Sequence, residues 1–170
     1  MDIEKIIRDT LKIEGVLSDN ENDKGGLTKY GISQAAHPNL DIKNLTEQQA
    51  IEIYKKDYFL RNQCDKIRSE KIAEMFFDLC VNSGNKTAVT ILQHVYNFYP
   101  YRKTMLTEDG VLGVNTINAI NAVENERDFC LLLTIFRGIF FYKITQKNEL
   151  QNVFLRGWLN RLVKVFNNTF

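Results

Sequence analysis

Glu14-Gly15 precedes the stretch Asp23-Lys24-Gly25-Gly26-Leu27-Thr28-Lys29-Tyr30-Gly31-Ile32, a carboxylate followed by a polar, glycine-bracketed loop. A carboxylic acid at such a place can protonate the leaving oxygen of a glycosidic bond, and the glycines leave room for a bulky sugar chain. Asp23 is the best second carboxylate, either as the base that activates water or as electrostatic support for an oxocarbenium-like transition state. Asp before Lys-Gly-Gly is equally ordinary turn chemistry. Asp19 and Glu21 are weaker alternatives. Thr28 and Tyr30 lie two apart, so in an extended segment both face one side and can contact sugar hydroxyls or orient water; otherwise they decorate a hairpin.

These residues need a scaffold, and the periodicity supplies one. Ile3, Ile6, Ile7 and Leu11 recur at helical spacing, and the helix should stop at Glu14-Gly15, with Gly15 left-handed. The partial negative charge of a helix C-terminus disfavours an ionised carboxylate, which pushes Glu14 towards the protonated form a general acid needs. A loop over 16–40 with a short hairpin around Gly25-Gly26 and Tyr30-Gly31-Ile32 is expected next. Thr46-Glu47-Gln48-Gln49 is a capping box, followed by an apolar face of Ala50, Ile51, Tyr54 and Tyr58.

Ser69 caps the next helix, which is apolar nearly all round from Ile72 to Val81 and therefore central. Asp78 is the exception within it. Asn82 is four residues further on the same face, so the pair is expected either to support the active site and contact substrate at a cleft floor, or to satisfy buried backbone groups. Asn82-Ser83-Gly84-Asn85 breaks the pattern, and Ala88 to Tyr96 mark a helix ending before Pro100. Asp109-Gly110 makes a turn, Gly113 a bend, and Asn115 or Thr116 caps another helix. Three final helices fall at about 115–123, 126–146 and 150–166, with Trp158 on the stripe of Phe154 and Leu162 and hence expected in the core. Seven helices and a small hairpin give an all-α or predominantly α fold.

At 170 residues, 44% apolar and 25% charged, the chain can bury an ordinary core. Twenty-two basic against 21 acidic side chains argue against a dedicated nucleic-acid binder. Cys64, Cys80 and Cys130 have neither disulfide-framework nor zinc spacing, and His37 and His94 lack companions, so no metal and no cofactor is expected. The charged, amphipathic N-terminus is unlike a signal peptide. The apolar run Phe129 to Tyr142 is shorter than the roughly 20 residues that span a bilayer and contains Arg137, so a buried helix and no stable membrane insertion are expected.

On these residues the chain resembles glycoside hydrolase family 108, bacterial and phage N-acetylmuramidases whose relatives include secretion-activating proteins. Glu14, Gly15, Asp23, Gly25, Gly26, Thr28, Gly31 and Ile32 follow the family's opening signature, and Phe77-Asp78-Leu79-Cys80-Val81-Asn82-Ser83-Gly84 resembles its Phe-Asp-x-x-Val-Asn-x-Gly helix end. Leu92-Gln93, Asp109 to Thr116 and Gly157-Trp158-Leu159-Asn160-Arg161 resemble its usual companion, a predicted peptidoglycan-binding region. Val16 and Leu17 depart from the family's second glycine and tyrosine.

The resemblance implies a lysozyme-like helical fold, with a catalytic region over 1–85 and a peptidoglycan-binding-like region over 86–170 packed as one globular domain. It implies cleavage between N-acetylmuramic acid and N-acetylglucosamine with Glu14 as acid and Asp23 as partner. Gly25, Gly26, Thr28, Tyr30, Asp78 and Asn82 then line the substrate. Peptidoglycan strands are the expected partner, and a monomer is expected. The chain is expected to be made in the cytoplasm and to reach the wall through a holin-like export partner or an equivalent route. Prophage lysis and host secretion are the alternative settings. A non-catalytic wall-binding or secretion-accessory protein is the alternative from another class, and a lytic transglycosylase is a third reading.

Overall fold

The computed structural model describes residues 1–14, 17–18 and 27–170, with the backbone alone at Glu14, Leu17 and Ser18. Asp23, Gly25 and Gly26 therefore lie outside the described residues, as do Gly15, Val16, Asp19 and Glu21. The described chain is predominantly α and divides into two compact units, Asp2–Leu60 and Arg61–Phe170 with Met1.

The first unit opens with α1, Ile3–Glu14, which buries Ile6, Ile7 and Leu11 and ends at the residue where its periodicity stops. Three two-residue strands follow, β1 Leu17–Ser18, β2 Thr28–Lys29 and β3 Ile32–Ser33, antiparallel in that order. Lys29 pairs with Ile32 across Tyr30 (φ 53°) and Gly31 (φ 74°), the two left-handed residues of a hairpin turn whose twist matches the strands. Helix α2, Glu47–Tyr54, carries the expected capping box: the Gln49 N–H donates to the Thr46 hydroxyl at 3.2 Å, and the Thr46 N–H to the Gln49 amide oxygen at 2.8 Å. Its last turns widen into a π-helix, Lys55–Leu60. Five-residue bonding rotates the face by one position, so Phe59 enters the core with Tyr54 instead of Tyr58, which is half-buried and stacks on Tyr54 at 4.9 Å.

The second unit is built around α3, Glu70–Ser83, capped by Ser69 and buried continuously from Ile72 to Cys80, as an all-round apolar helix must be. It packs on α4, Asn85–Phe98, α6, Glu126–Lys147, and α7, Asn152–Thr169. Gly84 alone joins α3 to α4, at φ 77°, where a side chain would be strained. Helix α5, Val114–Asn121, begins without a side-chain cap, because Gly113 and not Asn115 or Thr116 occupies the capping position.

The run 129–142 is two-faced, not wholly buried. Phe129, Leu133 and Phe141 face the core, while Leu131, Ile135, Ile139 and Tyr142 recur on the exposed side of α6. Trp158 is half-buried, stacked between the core ring of Phe141 (5.1 Å) and the exposed ring of Phe154 (6.0 Å), and so sits at the edge of the core. The three cysteines are buried free thiols, and burial pushes Cys130 up to about 12. Among the described residues no helix is long and apolar enough to cross a membrane.

Candidate functional site

In the first unit, Glu14 is the last residue of α1, and only three peptide steps, at most about 11 Å of chain, separate it from Leu17. Leu17 pairs with Lys29 and Ser18 with Thr28. The small sheet thus ties the chain just beyond Glu14 to the strand that carries Thr28. This element brings two of the sequence-derived site positions into one neighbourhood.

Tyr30 departs from the extended geometry expected of it. It occupies a left-handed turn position, so its side chain does not alternate with Thr28 along a strand. Its carbonyl accepts a hydrogen bond from the Tyr54 hydroxyl at 3.0 Å, which anchors the hairpin tip to the end of α2. The Lys29 ammonium reaches the Lys43 carbonyl at 3.1 Å and lies 5.8 Å from the centre of the Tyr30 ring. Ile32 secures the other strand in the core.

In the second unit, Asp78 is 1% exposed and its carboxylate is held by two guanidinium groups. Arg137 on α6 donates to Oδ2 at 2.8 Å, and Arg161 on α7 donates to Oδ1 at 2.7 Å and again through Nε at 3.0 Å. Burial by itself would raise this carboxyl, but Arg137 and Arg161 together hold it below the ordinary carboxylate range. Both oxygens are therefore committed to tying α3 to α6 and α7. Asn82, one turn later, is half-buried and accepts a 3.4 Å bond from the Ser83 hydroxyl.

Sequence reasoning missed the two arginines. Their trace is Arg137 itself, a charge inside an apolar run, which burial requires to be paired. Arg137 is wholly buried, and its Nε and Nη1 have no partner among the described residues, a costly arrangement that one carboxylate shared between two cations only partly offsets.

The signature from Leu92-Gln93 to Asp109–Thr116 has a local explanation in one buried amide. Gln93 reaches the Asp109 carboxylate (2.9 Å), the Val111 carbonyl (3.2 Å) and the Thr116 hydroxyl (3.2 Å), while its oxygen accepts from the Gly110 N–H at 3.0 Å. Gly110 sits at φ 72°, and a Cβ there would lie 2.8 Å from Lys86 Cγ, 2.9 Å from Thr90 Oγ1 and 3.0 Å from the Lys86 carbonyl. Gly110→Ala is expected to lower unfolding free energy in urea by more than the about 1–2 kcal/mol of left-handed strain alone. Gly84→Ala, where nothing lies within 4 Å of the added carbon, should show only that strain. Equal losses in the two variants would contradict the close packing at Gly110.

Among the described residues no group of three or more metal-ligating side chains gathers.

Residues 7–84 match the family model of glycosyl hydrolase 108, and residues 87–163 match the predicted peptidoglycan domain. None of the curated proteins matches the chain. The fold is similar to that of Brucella abortus SagA, with TM-score 0.75 and 23% identity over 98% of this chain and 92% of that one, a likeness of fold alone. The chain thus joins a region similar to the glycosyl hydrolase 108 family, over residues 7–84, to one similar to the predicted peptidoglycan domain, over 87–163, and the two together mark a peptidoglycan-related protein.

Proposed function

We propose that this protein is an N-acetylmuramidase, hydrolysing the bond between N-acetylmuramic acid and N-acetylglucosamine with Glu14 as general acid. The observation that carries the reading is the position of Glu14, the final residue of α1 and within the region matching glycosyl hydrolase 108. A carboxyl at a helix C-terminus meets the negative end of the helix dipole, which favours its protonated form, and a protonated acid can deliver a proton to the leaving oxygen. Asp23 is proposed as the second carboxylate, with Gly25, Gly26 and Thr28 shaping the approach of the sugar. The pairing of β1 with β2 supports this by drawing the Thr28 strand towards the end of α1.

Asp78 and Asn82 are proposed to support the protein through the stability of α3 within its own unit. The chain is proposed to work outside the cytoplasm, where its substrate lies, and to need no metal.

Purified sacculi test the reading. The protein should lower their turbidity and release new reducing ends at a rate unaffected by EDTA. The departures at Val16 and Leu17 favour the wall-binding alternative. Retention on sacculi with no new reducing ends would establish that alternative and overturn the muramidase reading.

A further inference from the structure

Within the predicted peptidoglycan domain, the segment after Pro100 and helix α5 enclose a cleft of about 450 Å³, inside the range of small-ligand sites. Both walls are fastened to α4. The Asn97 side chain donates to the Leu106 carbonyl at 2.9 Å and accepts from the Leu106 N–H at 2.8 Å, and the Tyr96 hydroxyl accepts from the Lys103 N–H at 3.2 Å. On the other side, Gln93 holds Thr116 in the first turn of α5. A cleft with walls fixed in this way loses little freedom when it is filled.

The groups lining it are specific in kind. Asn115 and Asn118, three apart on one face of α5, are exposed there, and neither side-chain amide bonds to another described residue; nor does the Thr104 hydroxyl. Ala119 and Ala122 add small apolar side chains to the lining. At the rim, the Lys103 ammonium pairs with Glu124 at 3.0 Å, but both are largely exposed, so a ligand carboxylate can displace Glu124 at little cost. Among the described residues that line it, the one aromatic ring, Tyr96, is 2% exposed and offers no platform on which a sugar face can stack.

We infer that this cleft binds the peptide stem of peptidoglycan, the lactyl-alanyl arm on muramic acid, and not the bare glycan. Side-chain amides can both donate to and accept from the stem's amides. The two alanines accommodate its lactyl and alanyl methyl groups, and Lys103 meets its carboxylate. This inference rests on the peptidoglycan reading above, and the two are separable by experiment.

Amide NMR titration of the full chain with N-acetylmuramyl-L-alanyl-D-isoglutamine should shift resonances of 103–106 and 115–122. The double variant Asn115→Ala/Asn118→Ala should weaken that binding by at least roughly tenfold, the effect of losing one or two net hydrogen bonds, with distant resonances unmoved. Chitotriose, which has acetamido groups but no stem, should leave the cleft unshifted. Shifts confined to other regions, an unweakened double variant, or equal occupancy by chitotriose would each overturn the inference. Retention on sacculi, measured in parallel, reports separately on the broader reading: a chain that holds sacculi while its cleft ignores the muramyl peptide loses this inference alone.

Discussion

Glu14→Gln should reduce release of reducing ends from sacculi by about 10²–10⁴-fold, the usual contribution of a positioned general acid. The amide keeps the shape and size of the carboxyl but has no acidic proton to give to the leaving oxygen. Because Glu14 closes α1 with Leu11 the nearest buried position of that helix, the exchange should leave circular dichroism and the urea midpoint unchanged. Activity within about tenfold of wild type, with the fold intact, would remove Glu14 from the acid role. The variant Asp23→Asn complements it, since asparagine preserves much of the turn chemistry and loses only the charge. A nearly fully active Asp23→Asn protein would reduce that residue to a turn former.

Asp78→Ala carries the largest expected effect on stability, a loss of about 3–5 kcal/mol in urea unfolding, because it leaves two buried guanidinium groups without their shared counter-charge. Replacing Asp78, Arg137 and Arg161 together by apolar residues of similar volume should recover much of that loss, since the desolvation cost of the charges disappears with them. The same cluster makes a pH prediction. The folded Asp78 carboxyl lies below its ordinary value, so its contribution is fully present above the unfolded value near about 3.9 and is lost as pH falls from there through the folded one. Wild type should therefore lose stability more steeply below about pH 4 than a variant with the apolar triad. An Asp78→Ala protein as stable as wild type would contradict the account of how α3, α6 and α7 are held.

Much of the scaffold was legible because single physical causes fixed it. Thr46 with Gln49, Ser69, and the positive φ at Gly84 each mark an element boundary through a local hydrogen bond or a steric limit that one sequence displays. The π-turn after Tyr54 was not legible. Nothing local distinguishes Tyr58 from Phe59 as the inward residue, and only packing against the rest of its unit decides. The same holds for Arg137: its presence in an apolar run signals a buried partner, but the choice of Asp78 depends on how α3 and α6 meet. Glu14 could be singled out because the end of α1 coincides with the end of its apolar period. Asn115, read as a helix cap, instead faces a cleft, since Gly113 takes the capping position and α5 starts two residues earlier than a cap at Asn115 would set it.

The most direct test of the muramidase account is the chemical identity of the ends it creates. Sacculi digested with the protein, reduced with borohydride and resolved by mass spectrometry should yield muropeptides ending in reduced N-acetylmuramic acid, and the Glu14→Gln protein should yield none above background. Fragments ending in reduced N-acetylglucosamine or in 1,6-anhydromuramic acid, or no fragments from a protein that still binds the wall, would contradict it.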